Sequence, residues 1–160
     1  MAEHPSLPRA LATPIAQELL QSRIPARLAY VGGDGTARVL PIWFHWTGEV
    51  IVIATSASTP KVRAIRRNRE LALSIDSEAP PYRSLQLRGP LEVDIVDGIA
   101  PEYVAAAERY YDGEAAAIWL KRARGVIARQ ARLVIRPTWA RVLDVAALSP
   151  ELAAALKRGG

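Results

Sequence analysis

The sequence predicts a mainly β fold with helices: an antiparallel barrel of about six strands. Three observations lead there. Apolar runs of strand length follow one another with only short turns between them, which makes sequential runs antiparallel neighbours. Most of these runs alternate apolar and polar residues at a period of two. The helical patterns between the strands are short. A sheet of this size buries its inner face best by closing on itself.

Residues Pro14 to Gln21 read as the first helix. Ile15, Leu19 and Leu20 form its apolar face, and Thr13-Pro14 supplies a cap and a first position. Two strands, Ala26 to Val31 and Thr36 to Trp46, flank Gly32-Gly33-Asp34-Gly35, which is hairpin turn chemistry. Thr47-Gly48-Glu49 turns into Val50 to Ala54, a run apolar throughout and expected to be buried on both faces. Thr59 is expected to cap a helix opening at Pro60, with Val62 and Ile65 inward and Arg63, Arg66 and Arg67 outward.

Leu71 to Ile75 is a fourth strand. Arg83 to Val96 is a long one, with Leu85, Leu87, Gly89, Leu91, Val93 and Ile95 on one side and a bulge or bend at Gly89-Pro90. Pro101 to Leu120 is a helical insert, divided at Asp112-Gly113 and ended by Gly125. Ala131 to Ile135 and Trp139 to Leu143 form the last strand region, interrupted by Pro137. Val145 to Lys157 is alanine-rich and expected to be helical from Ser149-Pro150. The chain thus divides into a mobile N-terminal segment (residues 1–13), one folded domain (14–145) and a helical tail (146–160).

Composition excludes several chemistries. With 160 residues, half of them hydrophobic and 23% charged, the chain can bury a real core. The absence of cysteine excludes disulfides, thiolate metal sites and thiol catalysis. Only His4 and His45 are present, so one chain cannot build a multi-histidine metal site. No uncharged apolar stretch approaches the roughly 18 residues of a membrane helix. The N-terminus lacks signal-peptide order, so a cytoplasmic protein is expected. The motifs GxGxxG, GxxxxGK[ST] and HExxH are absent.

Lysine plus arginine total 21 against 16 acidic residues, a formal charge of +5, and Lys61, Arg63, Arg66, Arg67 and Arg69 are clustered. Such a cluster is either a solvated helix face or an attractor of phosphate. No DNA-binding motif accompanies it, so no nucleic-acid partner is expected.

Two segments carry the candidate chemistry. In Arg38-Val39-Leu40-Pro41-Ile42-Trp43-Phe44 the proline cannot donate a ladder hydrogen bond. It marks either a protected edge strand or a place where freed backbone groups can bind a planar heterocycle. Thr55, Ser56, Thr59 and Lys61 lie between a buried strand and a helix start, where hydroxyls, free amides and an ammonium make a phosphate site. Gln86 lies opposite the apolar positions of its strand, where it reaches a ring or faces water. Trp43, Trp46, Trp119 and Trp139 are expected in core or interface packing.

The order and spacing of RVLPIWFHW, VIVIATSASTPKVRAIRRN, ELALSID and LQLRGPLEV resemble the FMN-binding split barrel of the pyridoxamine 5'-phosphate oxidase-like family, over about residues 14 to 143. The resemblance implies a six-stranded antiparallel split β-barrel and a homodimer with its flavin in a cleft between subunits. It implies that the backbone around Leu40, Pro41 and Ile42 faces the isoalloxazine. Thr55 and Ser56 would lie near the ribityl and phosphate, Lys61 and Arg38 would serve the phosphate, and Gln86 would border the ring. Trp119 or Trp139 would come from the partner subunit. Ser58-Thr59-Pro60-Lys61 replaces the serine and Arg-Lys pair of true pyridoxamine 5'-phosphate oxidases, and no histidine lies beyond His45. The short form looks more like relatives that use FMN or the deazaflavin F420 for reductions. FMN is the first expectation and coenzyme F420 the alternative, in an oxidoreductase acting on a small molecule or in a non-catalytic carrier or sensor. The sequence names no catalytic residue; Tyr82, Tyr110 and Tyr111 are either structural residues, the first expectation, or proton donors.

Overall fold

The computed structural model describes residues 6–148 together with Glu151 and Ala154. Two antiparallel sheets share one core. The five-stranded sheet runs in the order β2 (Ala37–Ile42), β1 (Ala26–Val31), β5 (Leu71–Asp76), β6 (Arg83–Arg88) and β9 (Trp139–Asp144). The four-stranded sheet runs β3 (His45–Trp46), β4 (Ile51–Ser56), β8 (Arg129–Ile135) and β7 (Leu91–Asp97). Leu28, Leu73, Leu85 and Leu87 of the first sheet meet Ile51, Ile53, Leu133 and Ile135 of the second in one buried cluster. This is a mixed α/β fold resembling the split-barrel arrangement.

The described residues hold nine strands where the sequence predicts about six. The difference lies at three breaks. The Thr36–Trp46 run divides at Trp43-Phe44, so that β2 joins one sheet and β3 the other. Arg83–Val96 divides at Gly89-Pro90, and the last strand region divides at Pro137. Each break carries the chain from one sheet to the other, which no local pattern reports. The last two breaks are tied together: Arg136 N–H donates to Pro90 O at 3.2 Å and Thr138 N–H to Arg88 O at 3.0 Å. Gly89 permits this approach, since a Cβ there would stand 1.9 Å from Arg136 O.

The β1–β2 hairpin follows its turn chemistry. Gly35 N–H donates to Gly32 O at 3.0 Å, Gly32 N–H donates to Thr36 O at 2.7 Å, and Gly35 has φ +80°. That is a three-residue loop in which only the last residue needs left-handed backbone.

Helix α2 (Pro14–Gln21) has the predicted bounds and is capped by Thr13, whose Oγ1 accepts from Ala16 N–H at 3.3 Å. Ahead of it, Leu7–Leu11 forms a helix (α1) with Ala10 buried, where the sequence places a mobile segment. The apolar residues Leu7 and Leu11 pack on the core and hold it. Helix α3 (Pro60–Arg67) links β4 to β5 and buries Val62, Ala64 and Ile65. The insert is two helices, α4 (Pro101–Tyr110) and α5 (Gly113–Val126), the second running through Gly125. Val145–Leu148 is a short helix, α6. The expected helix start at Ser149-Pro150 lies outside the described residues. No helix among them is long and apolar enough to cross a membrane.

Candidate functional site

Strand β2 ends its sheet, and the hairpin sets which of its backbone groups are free. Because Gly32 bonds Thr36, the register makes Leu28↔Leu40 and Ala26↔Ile42 the hydrogen-bonded pairs, and Ala29↔Val39 and Arg27↔Pro41 the open ones. The nitrogen of Pro41 therefore falls on the outer edge, where its missing N–H removes no ladder bond. The backbone groups of Val39 and the Pro41 carbonyl face the same free edge.

That edge borders a cavity of about 500 Å³. Leu40, Pro41, Ile42 and Trp43 form one wall, and Ala54, Thr55 and Ser56 of β4 form another. Lys61, in the first turn of α3, closes one end. Tyr103, Trp119 and Ile127, from the insert and the residue after it, cover the remainder.

The Lys61 end is cationic. The side chain is half-buried, makes no ion pair with any described residue, and burial pushes its ammonium pKa below the ordinary 10.5. A cation held this way gains from any anion brought to it. Ser56 Oγ lies 3.2 Å from Ser58 Oγ. Thr59 occupies the cap position of α3, but its hydroxyl donates back to Ser56 O at 3.1 Å rather than accepting from the helix. The expected side-chain cap is therefore absent, because the tight turn from β4 offers a nearer acceptor.

The opposite end is aromatic. Trp43 stacks on Tyr110 with centroids 5.1 Å apart and 8° between planes, and lies 5.5 Å from Trp119, 5.3 Å from Tyr111 and 6.1 Å from Tyr103. Trp119 Nε1 donates to Tyr103 Oη at 2.9 Å. Arg109 fixes this end to the sheets. Its guanidinium donates to the carbonyls of Phe44 and Leu20 and lies 4.5 Å from the Phe44 ring centre. The Glu102 carboxylate takes two bonds from Arg132 of β8, which pins the start of α4 and holds the carboxyl below its ordinary range.

Of the residues singled out in the sequence, Leu40, Pro41, Ile42, Thr55, Ser56 and Lys61 line this one cavity. Arg38 does not. It pairs with Asp34 at 2.7 Å and lines a second concavity of about 240 Å³ with Arg63 and Arg67. The Asp34 carboxyl is pulled down to about 2, chiefly by the Thr36 hydroxyl, then by the Thr36 N–H and Arg38. Gln86 is also elsewhere, on the outer face of the five-stranded sheet in a concavity with Ala29, Val39, Ala72 and Trp139.

Trp119, implied to reach from a partner, covers its own chain's cavity. Tyr110 donates to Ile24 O at 3.2 Å, while Tyr82 is exposed away from the cavity. The cavity tyrosine that sequence reasoning missed is Tyr103. Its signal was the seven-residue spacing to Tyr110 on one helix face.

Fold and site together define a two-sheet protein that encloses a cavity with one cationic and one aromatic end. The sequence profile described as Pyridoxamine 5'-phosphate oxidase matches residues 12–144. The chain belongs to that family, a split-barrel superfamily associated with flavin and deazaflavin cofactors.

Among solved structures it is similar to an F420 reductase, at 31% identity over 78% of this chain and 94% of that one, with a TM-score of 0.60. It is also similar to a conserved hypothetical protein from Mycobacterium tuberculosis (18% identity, 90% and 92% covered, TM-score 0.64). General Stress Protein 26 from Bacillus anthracis is a further match (14% identity, 81% and 91% covered, TM-score 0.58). The last two share the fold alone. No curated protein matches the chain.

Proposed function

We propose that the chain is a homodimeric reductase that binds the deazaflavin F420 with its phosphate at Lys61. The observation that carries this reading is the arrangement of cations on α3. Lys61 serves the main cavity, while Pro60, Arg63 and Arg67 line the second, basic concavity from the same helix. FMN, the first expectation from sequence, ends in one phosphate and needs only the Lys61 site. F420 carries a longer anionic tail, for which Arg63, Arg67 and Arg38 offer a continuation. The 31% identity to an F420 reductase favours the same choice.

The residues fit such a ligand: a half-buried cation without an anionic partner, hydroxyls beside it, and an apolar strand edge with free backbone groups for a planar ring. When bound, the deazaflavin supplies hydride chemistry. The chain's own contribution is binding and shielding. Lys61, Thr55 and Ser56 hold the phosphate, the Leu40–Ile42 backbone faces the ring, and the Trp43–Tyr103–Trp119 wall excludes water.

Gln86 cannot reach the cavity of its own chain, and it enters this reading through a second copy. The outer sheet face around it carries Ala29, Ala72, Trp139 and a Val39 that is 67% exposed, bordered by Arg27 and Arg88, an apolar patch with a charged rim suited to a two-fold contact. Sedimentation is expected to give twice the chain mass of 17.4 kDa; a flavin-loaded monomer would refute the shared site.

Titration of the protein with FMN, full-length F420 and F420 stripped of its glutamates tests the cofactor. Tail removal is expected to cost about tenfold, or 1.4 kcal/mol. Tight FMN binding with no response to F420 would return the assignment to FMN. Lys61→Ala is expected to weaken binding more than Arg69→Ala, since Arg69 is tied to Leu91 O at 3.1 Å, away from both concavities. Equal losses would mean diffuse attraction rather than a site. Reduction of the loaded protein and its reoxidation by an acceptor separate an enzyme from a carrier.

A further inference from the structure

The two ends of the cavity differ in what they offer a ligand. The Lys61 end offers charge. The aromatic end offers flat apolar faces and one hydrogen-bond donor, and that donor is Tyr103.

Trp119 Nε1 donates to Tyr103 Oη, so the phenol oxygen is already an acceptor. The phenol's own proton has no acceptor among the described residues. Its neighbour Tyr110 differs: that hydroxyl receives from Arg109 and donates to Ile24 O, so both of its capacities are used. Tyr111 contacts Trp43 and Trp119 through its ring and does not line the cavity. A tyrosine in a cavity wall, with its oxygen occupied and its proton unused, is a donor awaiting a ligand acceptor. Trp43 and Trp119, packed on each other with centroids 5.5 Å apart, make an aromatic wall beside it, which favours a flat ligand lying against that wall. Burial raises the Tyr103 pKa above its ordinary 10.0, so the proton stays on the oxygen at neutral pH.

We infer that the aromatic end is the substrate end of the cavity, that it takes planar conjugated molecules bearing a carbonyl-type oxygen, and that Tyr103 donates the hydrogen bond to that oxygen. This deepens the reductase reading and rests on it for the word substrate. The recognition itself is readable without cofactor. Trp119 acts as a positioning residue, holding the phenol by the bond to its oxygen.

Coumarin and naphthalene are flat two-ring probes of similar size, the first with a lactone oxygen and the second with no acceptor. Equilibrium dialysis of the full chain, without added cofactor and again at saturating F420, gives the affinity for each. Tyr103→Phe is expected to weaken coumarin about tenfold and to leave naphthalene within about twofold. Trp119→Phe keeps the phenol and is expected to weaken coumarin by less than Tyr103→Phe does. It also carries the test if the first variant melts early. Tyr82→Phe, on an exposed residue outside the cavity, is expected to change neither probe.

Tyr103→Phe with unaltered coumarin binding, or with equal losses for both probes, would overturn the assignment, because the wall would then be packing alone. Failure of F420 to bind at all counts against the cofactor reading, while the Tyr103-dependent difference between probes is still read from the cofactor-free arm.

Discussion

Arg109→Met is the substitution whose effect the structure defines most fully. The guanidinium donates from Nη2 to Phe44 O and, at 3.2 Å, to Tyr110 Oη, and from Nη1 to Leu20 O at 3.4 Å, and it lies over the Phe44 ring at 4.5 Å and the Tyr110 ring at 4.9 Å. Methionine keeps most of the stem and none of the donors. A hydrogen bond from a charged group contributes about 1.5–3 kcal/mol, and the ring contacts about 0.5–2 kcal/mol together. Against this, Arg109 Nε is buried without a partner, and its removal returns about 1 kcal/mol. The weak 3.4 Å bond adds little. The expected net loss is about 2–3 kcal/mol, which lowers the melting temperature of a domain this size by roughly 8 °C. Urea unfolding followed by far-ultraviolet circular dichroism measures it. The near-ultraviolet signal of the Trp43–Tyr110 stack should weaken in the folded variant, because Arg109 holds Tyr110 directly and holds the carbonyl of Phe44, the residue after Trp43. A loss under about 1 kcal/mol, with the aromatic signal intact, would show that the insert is held by apolar packing and that the guanidinium is incidental.

Three other expectations follow from geometry and charge. The His45 pKa is held below its ordinary 6.5, first by burial and then by Arg109, so the unfolded chain binds the proton more readily than the folded one. Stability should therefore fall as pH drops through about 6.5 and level off below the folded pKa. His45→Gln should flatten that segment of a pH series of melting temperatures; an unchanged slope would assign it elsewhere. Glu102 is depressed below 4.5, chiefly by its bond to Arg132, so its contribution is present above that value and lost as pH falls through the lower folded one. Glu102→Gln should shrink the acid limb, which acid titration of the native circular dichroism signal would show. Gly89→Ala places a Cβ 1.9 Å from Arg136 O and should destabilise by about 2–3 kcal/mol in urea; a neutral result would mean that the two crossovers can part without consequence.

What could be read from the sequence was local. Ala26–Val31 and Pro14–Gln21 have their predicted bounds because turn and cap chemistry sit beside them. Leu40 to Ile42, Thr55, Ser56 and Lys61 were recoverable because short connections bring β2, β4 and α3 together. Arg38 lines the neighbouring concavity instead, paired with Asp34 four residues away, a placement that no local pattern reports. The break at Trp43-Phe44 was invisible because both residues suit a strand. At the break the Phe44 carbonyl is bound by Arg109, 65 positions along the chain. Tyr103 and Trp119 were obscured for the same reason, since only tertiary folding lays the insert over the strand edge.

The paired crossovers at Gly89-Pro90 and Arg136-Pro137-Thr138 also bear on how the molecule can change. They lie beyond the Arg88–Trp139 pair, whereas Pro41 and Trp43 lie toward the other end of the same sheet. The two sheets are arranged like the arms of a clothes peg, with the paired crossovers as the spring and the cavity in the jaws, where the Trp43-Phe44 crossover adds a single tie between the arms. Residues in the jaws can be exchanged, or the insert lengthened, to grip ligands of another size without touching the spring. Substitutions at the spring would slacken every grip at once. Variants selected for new substrates should therefore accumulate changes in 101–127 and in 40–43, and leave 88–91 and 136–139 alone.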